Sequence, residues 1–233
     1  MKEVTAAPVS ENPDYHKNIR SETFSLIPRC TGTLADIGGG IGNTAARLKA
    51  LGYAKRVGVV DLFQPPAGGP ALDFSFGGDL EDQAFLNAVI AAEGPFDTIL
   101  CFDVLEHLVD PWAVVARLHQ GLKPGGVIVA SLPNVRNYSV IVPLLLKNKW
   151  ELQDSGILDR THLRFFVRDS AIALLTSSGL VLEEVRANPN TGWKIRWFRR
   201  LTFGLMNNFF DNQYLIRVRR PSDEVPRPLS AQS

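Results

Sequence analysis

A run of glycines at the end of a short apolar strand constrains this chain more than any other feature. Leu34-Ala35-Asp36-Ile37 leads into Gly38-Gly39-Gly40-Ile41-Gly42-Asn43. Thr44 to Leu51 follows with helical spacing of its apolar residues, and Gly52 ends it. The segment reads as strand, tight glycine turn and helix. Glycine serves such a turn in two ways: it tolerates positive φ, and it lets a ligand lie against the backbone. The helix N-terminus then directs its unpaired N–H groups at that ligand. An ordinary strand–helix turn needs no ligand, and two ligand classes use this one. Gly40-x-Gly42-x-x-Ala45 fits the loose dinucleotide fingerprint. Asp36, at the strand end, would repel a pyrophosphate and suits a ligand that carries an ammonium group.

The chain has 233 residues, 45% hydrophobic and 21% charged, enough for one α/β domain with a real core. We expect the domain over residues 15–220, a polar disordered N-terminus over 1–14 and a disordered tail over 221–233. A formal net charge of +1 argues against a nucleic-acid partner. Cys30 and Cys101 lie in or beside apolar segments and read as reduced core residues of a cytoplasmic protein. No C-x-x-C is present and the four histidines are scattered, so no metal site is expected. No apolar h-region stands at the N-terminus, and the longest apolar run, Val140 to Leu146, is too short to span a bilayer.

Tyr15 to Ile27 reads as a helix before the first strand. Lys55 to Asp61 reads as a second, fully covered parallel strand. Asp61 lies about twenty residues after the glycines, where an acid chelates ribose hydroxyls. Gln64 to Gly78, rich in Pro and Gly, reads as a surface loop, and Leu80 to Ala92 as a helix. Phe96-Asp97-Thr98-Ile99-Leu100-Cys101-Phe102-Asp103-Val104-Leu105-Glu106-His107 reads as a fourth strand and its exit. A helix over Ala113 to Leu122, a Lys123-Pro124-Gly125-Gly126 turn and a strand over Val127 to Leu132 follow. Ser139 and Asp169 read as caps of two later helices, and Gly179 as a helix end. Leu180 to Val185 reads as a strand, and Gln213 to Arg219 as a final edge-type strand.

Taken in order from Leu34 to Asn134, the glycine turn, Asp61, Gly77-Gly78-Asp79-Leu80-Glu81, the Phe96–His107 passage and Lys123 to Asn134 resemble the five motifs of the class I S-adenosylmethionine (SAM)-dependent methyltransferases. Many members have Cys where this chain has Gly39, a small-for-small change expected to cost little. The resemblance implies a Rossmann-like, doubly wound α/β fold, its mostly parallel sheet ending in an antiparallel strand. It implies SAM as cofactor, held along Asp36, Gly38, Gly40, Gly42, Asp61, Leu62, Asp79, Leu80, Phe102, Asp103 and Val104. Within the family, amino-methyltransferases of nucleic acids carry D/N-P-P-aromatic after the fourth strand, and this chain has Phe102-Asp103-Val104-Leu105 there.

Further on, Asp159-Arg160-Thr161-His162-Leu163-Arg164-Phe165-Phe166 resembles the D-x-x-H-L-R-F-F signature of a methyltransferase subset that often accompanies glycan assembly. A small-molecule or glycan acceptor, sugar or lipid-linked saccharide, is the expectation that follows. The alternatives are O-methylation of a quinone or natural-product phenol, and a SAM-fold partner subunit without turnover; the intact acids at 36, 61 and 79 favour catalysis. A hydroxyl acceptor must lose a proton, which a histidine accelerates about a hundred- to ten-thousandfold. His162, with Asp159 positioned to orient it, is the preferred base, and His107 the second choice. His16 and His119 read as surface residues. Residues 188–212 read as a helical insertion, aromatic and basic over 193–210 (Trp193, Trp197, Phe198, Arg199, Arg200). That pattern fits a helix packed on its own domain or an interfacial helix at the inner face of a membrane. The sequence carries no signal for an oligomeric state.

Overall fold

The computed structural model describes residues 19–29, 32–66, 68–189 and 207–222. The N-terminal stretch, Cys30, His16, most of the basic aromatic insertion and most of the tail lie outside the described residues. Seven strands form one sheet: β1 (Thr33–Ile37), β2 (Arg56–Asp61), β3 (Phe74–Gly77), β4 (Phe96–Phe102), β5 (Leu122–Pro133), β6 (Val181–Pro189) and β7 (Asp211–Arg219). Their spatial order is β3-β2-β1-β4-β5-β7-β6. The first five run parallel; β7 is antiparallel to both β5 and β6.

Helices α1 (Asn43–Ala50), α2 (Gln83–Glu93), α3 (Pro111–Gln120), α4 (Tyr138–Lys147) and α5 (Arg168–Thr176) alternate with the strands. Covering both faces is what near-continuous apolar parallel strands require. On one face Leu86 and Val89 of α2, Val114 and Leu118 of α3 and Leu174 of α5 join Ile37, Ile99 and Ile128 in one core. On the other, Ala45 and Leu48 of α1, with Leu26 and Ile27, cover Leu34, Val57 and Leu100. The strand order reverses between β1 and β4, so their C-terminal ends open the crevice where such sheets bind ligands.

Several local expectations are corrected. Within Tyr15–Ile27 the described residues form only a short 3-10 helix, Ser21–Leu26. The expected loop Gln64–Gly78 contains β3. Phe74 is buried there against Gly58 of β2, where an added Cβ would stand 2.1 Å from its ring. Four alternating residues among prolines and glycines were too short a pattern to read as a strand. Helix α3 starts earlier than expected, with Pro111 in its first turn and the Asp110 carboxylate accepting from Ala113 N. The Lys123–Gly126 turn is absorbed into β5, with a register irregularity against β4 between Phe96 and Thr98.

Asn137, not Ser139, caps α4 by accepting from Ser139 N at 2.9 Å. Pro143 lies beyond the first turn of that helix. At α5 the cap is Val167, whose N–H donates to Ser170 Oγ, and Asp169 only follows in the first turn. β7 is not an edge strand: it lies between β5 and β6. Its charged alternation places Arg217 and Arg219 against Glu183 of β6, a cross-strand ion cluster rather than edge protection. His119 is likewise not free at the surface, since its Nδ1 bonds to Ser178 O at 2.9 Å.

Candidate active site

The loop after β1 meets the exit of β4 at the sheet's reversal point. Gly38 has φ +71°, and a Cβ there would press within 2.6 Å of the Val104 side chain. Gly42 caps α1 at φ +85°, where a Cβ would stand 2.6 Å from Leu72. A side chain at either position would be strained and would fill the crevice. Gly39 leaves equally little room: its Cβ would fall 2.6 Å from the Asp36 carboxylate. The small-for-small change expected to cost little would here require that carboxylate to turn.

Asp36 is the penultimate residue of β1 and is 2% exposed. Burial, then repulsion from Asp61, pushes its pKa up to about 7 against the opposing pull of Arg20. Asp61 ends β2, and its Oδ2 accepts from Gly40 N at 2.8 Å, so the acid is fixed against the glycine loop. Leu62 and Phe63 follow, exposed. Asp79 follows β3 and is exposed, with Oδ1 accepting from Glu81 N at 2.9 Å. Leu80 and Phe102 are buried in the two cores.

Asp103 adopts φ +48°, uncommon for a residue with a side chain. Its carboxylate accepts from the Ser131 hydroxyl at 2.6 Å and pairs with Arg20, just before the N-terminal 3-10 helix. Arg20 N also lies 3.4 Å from Thr44 Oγ1 of α1. The start of the 3-10 helix is thereby tied to the exit of β4 and to α1. Glycines that keep the loop bare, a buried acid at about 7 and a second acid at the loop's edge fit a ligand with an ammonium group and a ribose, as SAM has.

Immediately after β4 the chain turns through Leu105–His107. The Asp159–Phe166 segment docks on this turn by backbone bonds. Leu163 N and Arg164 N both donate to Glu106 O, at 2.8 and 3.0 Å, and Val135 N donates to Phe166 O at 2.9 Å. Arg164 also donates to Val109 O, which makes it a tie between the two loops. The expected Asp159–His162 pairing is not formed. The Asp159 carboxylate instead accepts from Thr161 N and the Thr161 hydroxyl, at 2.8 and 2.7 Å. Burial would raise the Asp159 pKa, but these bonds and the nearby His162 hold it below the usual carboxylate range.

His107 Nδ1 lies 3.2 Å from Thr161 O and 3.1 Å from its Oγ1, and His162 Nδ1 lies 3.1 Å from Ile157 O. A carbonyl only accepts, so each ring donates a proton from Nδ1. The two rings pack edge to face with centroids 4.7 Å apart. The His162 side chain is 6% exposed. His107 is half-buried, and burial followed by the nearby His162 lowers its pKa. Glu106, 1% exposed, completes the group: burial, then Asp103, raises its pKa well above the usual carboxylate range. Glu106 lies inside the Phe96–His107 motif without a role assigned from sequence; its one detectable signal is a carboxylate adjacent to a histidine at a strand exit. Outward from His162 lie Phe165, with ring centroids 6.4 Å apart, and Trp150, 5.3 Å from Phe165; both are partly exposed, as is Leu163.

Of the aromatic insertion, Phe210 is buried against Tyr138 and Phe209 lies under Arg136, so these two pack on their own domain. Residues 193–206 lie outside the described residues. Among the described residues no helix is long and apolar enough to cross a membrane.

Residues 15–185 match a family model described as a methyltransferase domain. A ubiquinone biosynthesis O-methyltransferase of Xylella fastidiosa is 30% identical over 128 residues, 51% of this chain and 48% of that protein. The chain thus matches about half the length of that curated relative. A SAM-dependent methyltransferase structure from Archaeoglobus fulgidus superposes with a TM-score of 0.58 at 16% identity, covering 86% of this chain and 91% of that one. The N-methyltransferase NodS of Bradyrhizobium japonicum, in complex with S-adenosyl-L-homocysteine, superposes with a TM-score of 0.54 at 17% identity, covering 91% and 90%.

Proposed function

The chain belongs to the methyltransferase-domain family and is a SAM-dependent class I methyltransferase, and on that premise we propose that it methylates a hydroxyl of an apolar aromatic acceptor, a phenol or quinol. The observation that carries this reading is the histidine pair at the exit of β4 opening onto an aromatic rim. His107 and His162 lie beside a buried carboxylate, and Phe165 and Trp150 stand outside them. An aromatic ring stacks on such a rim and brings its hydroxyl to the imidazoles. The Xylella relative, named for O-methylation in ubiquinone biosynthesis, supports the same acceptor class. The glycan acceptor suggested by the D-x-x-H-L-R-F-F resemblance has no such support.

Asp36 would hold the methionine ammonium of SAM, Asp61 the ribose hydroxyls and Asp79 the adenine amino group, with Leu62 and Phe63 beside the base. When bound, SAM supplies an electrophilic methyl group on a sulfonium, which departs as a neutral thioether. This chain's residues then have two tasks. They align the acceptor oxygen with that methyl, an effect that supplies roughly 7–11 kcal/mol in well-oriented systems. They also remove the hydroxyl proton at the Glu106–His107–His162 group, so that the oxygen can attack as it ionises. The Arg20–Asp103 pair would hold the N-terminal 3-10 helix at the exit of β4, beside the proposed cofactor site.

A transfer assay with methyl-labelled SAM distinguishes the acceptors. Label is expected on the hydroxyl of alkyl-substituted catechols and quinols, and not on sugar nucleotides or lipid-linked saccharides. Label confined to saccharides would overturn the aromatic reading.

A further inference from the structure

Thr161 stands at the centre of a hydrogen-bond chain between a carboxylate and a histidine. Its hydroxyl lies 2.7 Å from Asp159 Oδ1 and 3.1 Å from His107 Nδ1. Its carbonyl oxygen lies 3.2 Å from the same ring nitrogen, and its N–H donates to Asp159 Oδ1 at 2.8 Å. A hydroxyl has one proton to give. Asp159 is held below the usual carboxylate range, so near neutral pH it is ionised and only accepts. The Thr161 proton is therefore committed to Asp159, and the hydroxyl meets His107 with a lone pair. Two acceptors of one residue, hydroxyl and carbonyl, converge on Nδ1 and require a proton there.

Burial, followed by the nearby His162, lowers the His107 pKa, so this ring is neutral near pH 7 and carries a bare lone pair on Nε2. His162 is anchored differently. Its Nδ1 lies 3.1 Å from Ile157 O, and its Nε2 faces Glu106 Oε1 at 4.0 Å. Its side chain is 6% exposed, whereas His107 is half-buried. Packed edge to face on His107, the His162 ring restricts how its neighbour can turn. The D-x-x-H spacing favours His162 as the base, but the fold directs the Asp159 carboxylate to His107, one hydroxyl removed.

We propose that His107 takes the acceptor's hydroxyl proton at Nε2, and that Thr161 and Asp159 are the positioning residues that hold its ring and offset the positive charge it gains. The acceptor O–H bond breaks and its proton passes to Nε2. The oxygen's electron pair forms the O–CH3 bond, and the S–CH3 pair leaves with sulfur. The imidazolium then releases its proton to water. Asp159 carries a full negative charge behind a single hydroxyl, so its attraction grows as the ring becomes charged, which is when the transition state forms. The proton step rests on the aromatic-hydroxyl reading above; the hydrogen-bond chain and the tautomer it imposes do not.

The test uses the full chain with isotope-labelled histidine, observed by heteronuclear NMR, the His107 signals being assigned by their loss in His107→Gln. When neutral, the wild-type His107 ring should carry its proton on Nδ1 and none on Nε2. The titratable groups facing it are Asp103 and Glu106 from the β4 exit and Asp159 and His162 from the docked segment, with Arg20 paired to Asp103. Thr161→Val removes the hydroxyl and little else. It should lower the His107 pKa, because the imidazolium loses a partner. It should also cut single-turnover transfer to a catechol by about ten- to a hundredfold, the effect of one charge-assisted bond. The rising limb of rate against pH should move down with the NMR titration. Thr161→Ser, which returns the hydroxyl, should recover the titration and most of the lost rate. SAM affinity by calorimetry reports folding, and Asp159→Asn, expected to shift the titration the same way, replaces Thr161→Val if that variant is not folded. A neutral wild-type ring protonated on Nε2 overturns the inference, as does a folded Thr161→Val with wild-type titration and rate. Absence of transfer to catechols by the wild type overturns the acceptor reading, while the Nδ1 tautomer and its shifted titration still support the chain.

Discussion

In the proposed cofactor half of the cleft, built by β1, β2 and β3, the candidate acids lie near or just beyond the strands' C-terminal ends, and two of them are held by main-chain N–H groups. Asp61 takes the Gly40 N–H, and Asp79 takes an N–H two residues on. In the acceptor half, the Leu105–His107 turn is organised by a segment more than fifty residues later, through Thr161 O on His107 and through Leu163 N on Glu106 O. The first half is held by contacts no more than 21 residues apart, between loops of neighbouring strands. The second exists only when two distant loops dock. Both halves bury a carboxylate, Asp36 in one and Glu106 in the other, and burial raises both pKa values. Arg20 is the charge that reaches each of them.

If the halves are functionally separate, the largest effect should come from the acceptor side. His107→Ala and His162→Ala should each lower single-turnover transfer to a catechol by about two to four orders of magnitude. SAM affinity by calorimetry should stay within about twofold. A parallel fall in SAM affinity would break the separation.

The pH dependence of Asp36 sharpens it. A folded-state pKa of about 7, against 3.8 ordinarily, means that the ligand-free folded protein holds this proton more tightly than the unfolded chain. The resulting stability is complete below about pH 4 and is lost as pH rises through about 7, on the order of 4 kcal/mol in all. Urea unfolding across this range should show Asp36→Asn lacking that decline relative to the wild type. SAM affinity of the wild type should rise over the same interval as the carboxylate ionises. Identical pH slopes for the two proteins would remove Asp36 from this account.

A smaller effect is expected at Asp61. Its loss removes charge-assisted bonds worth roughly 1.5–3 kcal/mol, so Asp61→Ala should weaken SAM about tenfold or more. Transfer at saturating SAM should be retained, and a loss of rate under those conditions would contradict the division. The smallest effect belongs to Arg20. Its pair with Asp103 is partly buried, and Arg20→Ala should cost about 1 kcal/mol or less in stability. Because Arg20 touches both halves electrostatically, it alone should move SAM affinity and transfer rate together; a change in only one would show that it serves one half.

The contrast also explains what could be read in advance. The glycine turn, the acids at 36, 61 and 79 and the β4 exit are local patterns. Strand–turn–helix periodicity and the steric needs of a crowded loop write them into consecutive residues. β3 is not legible in the sequence because four residues carry too little periodicity, and the place of β7 is not legible because charge alternation looks alike at a free edge and opposite a paired strand. The Asp159–His162 spacing suggested a dyad, but Thr161 lies between and its N–H and hydroxyl reach the carboxylate first.

By itself, then, the sequence determined the doubly wound α/β architecture and the cofactor class, through five short motifs whose order along the chain resembles one family, because each motif is written in consecutive residues. Only the tertiary structure decided that Glu106, His107 and His162 form one group, that Asp159 serves Thr161, and that β7 lies inside the sheet. Those outcomes depend on which distant backbone groups satisfy one another once the loops are packed. No local pattern encodes that choice, because hydrogen-bond partners more than fifty residues apart are selected by the folded shape as a whole.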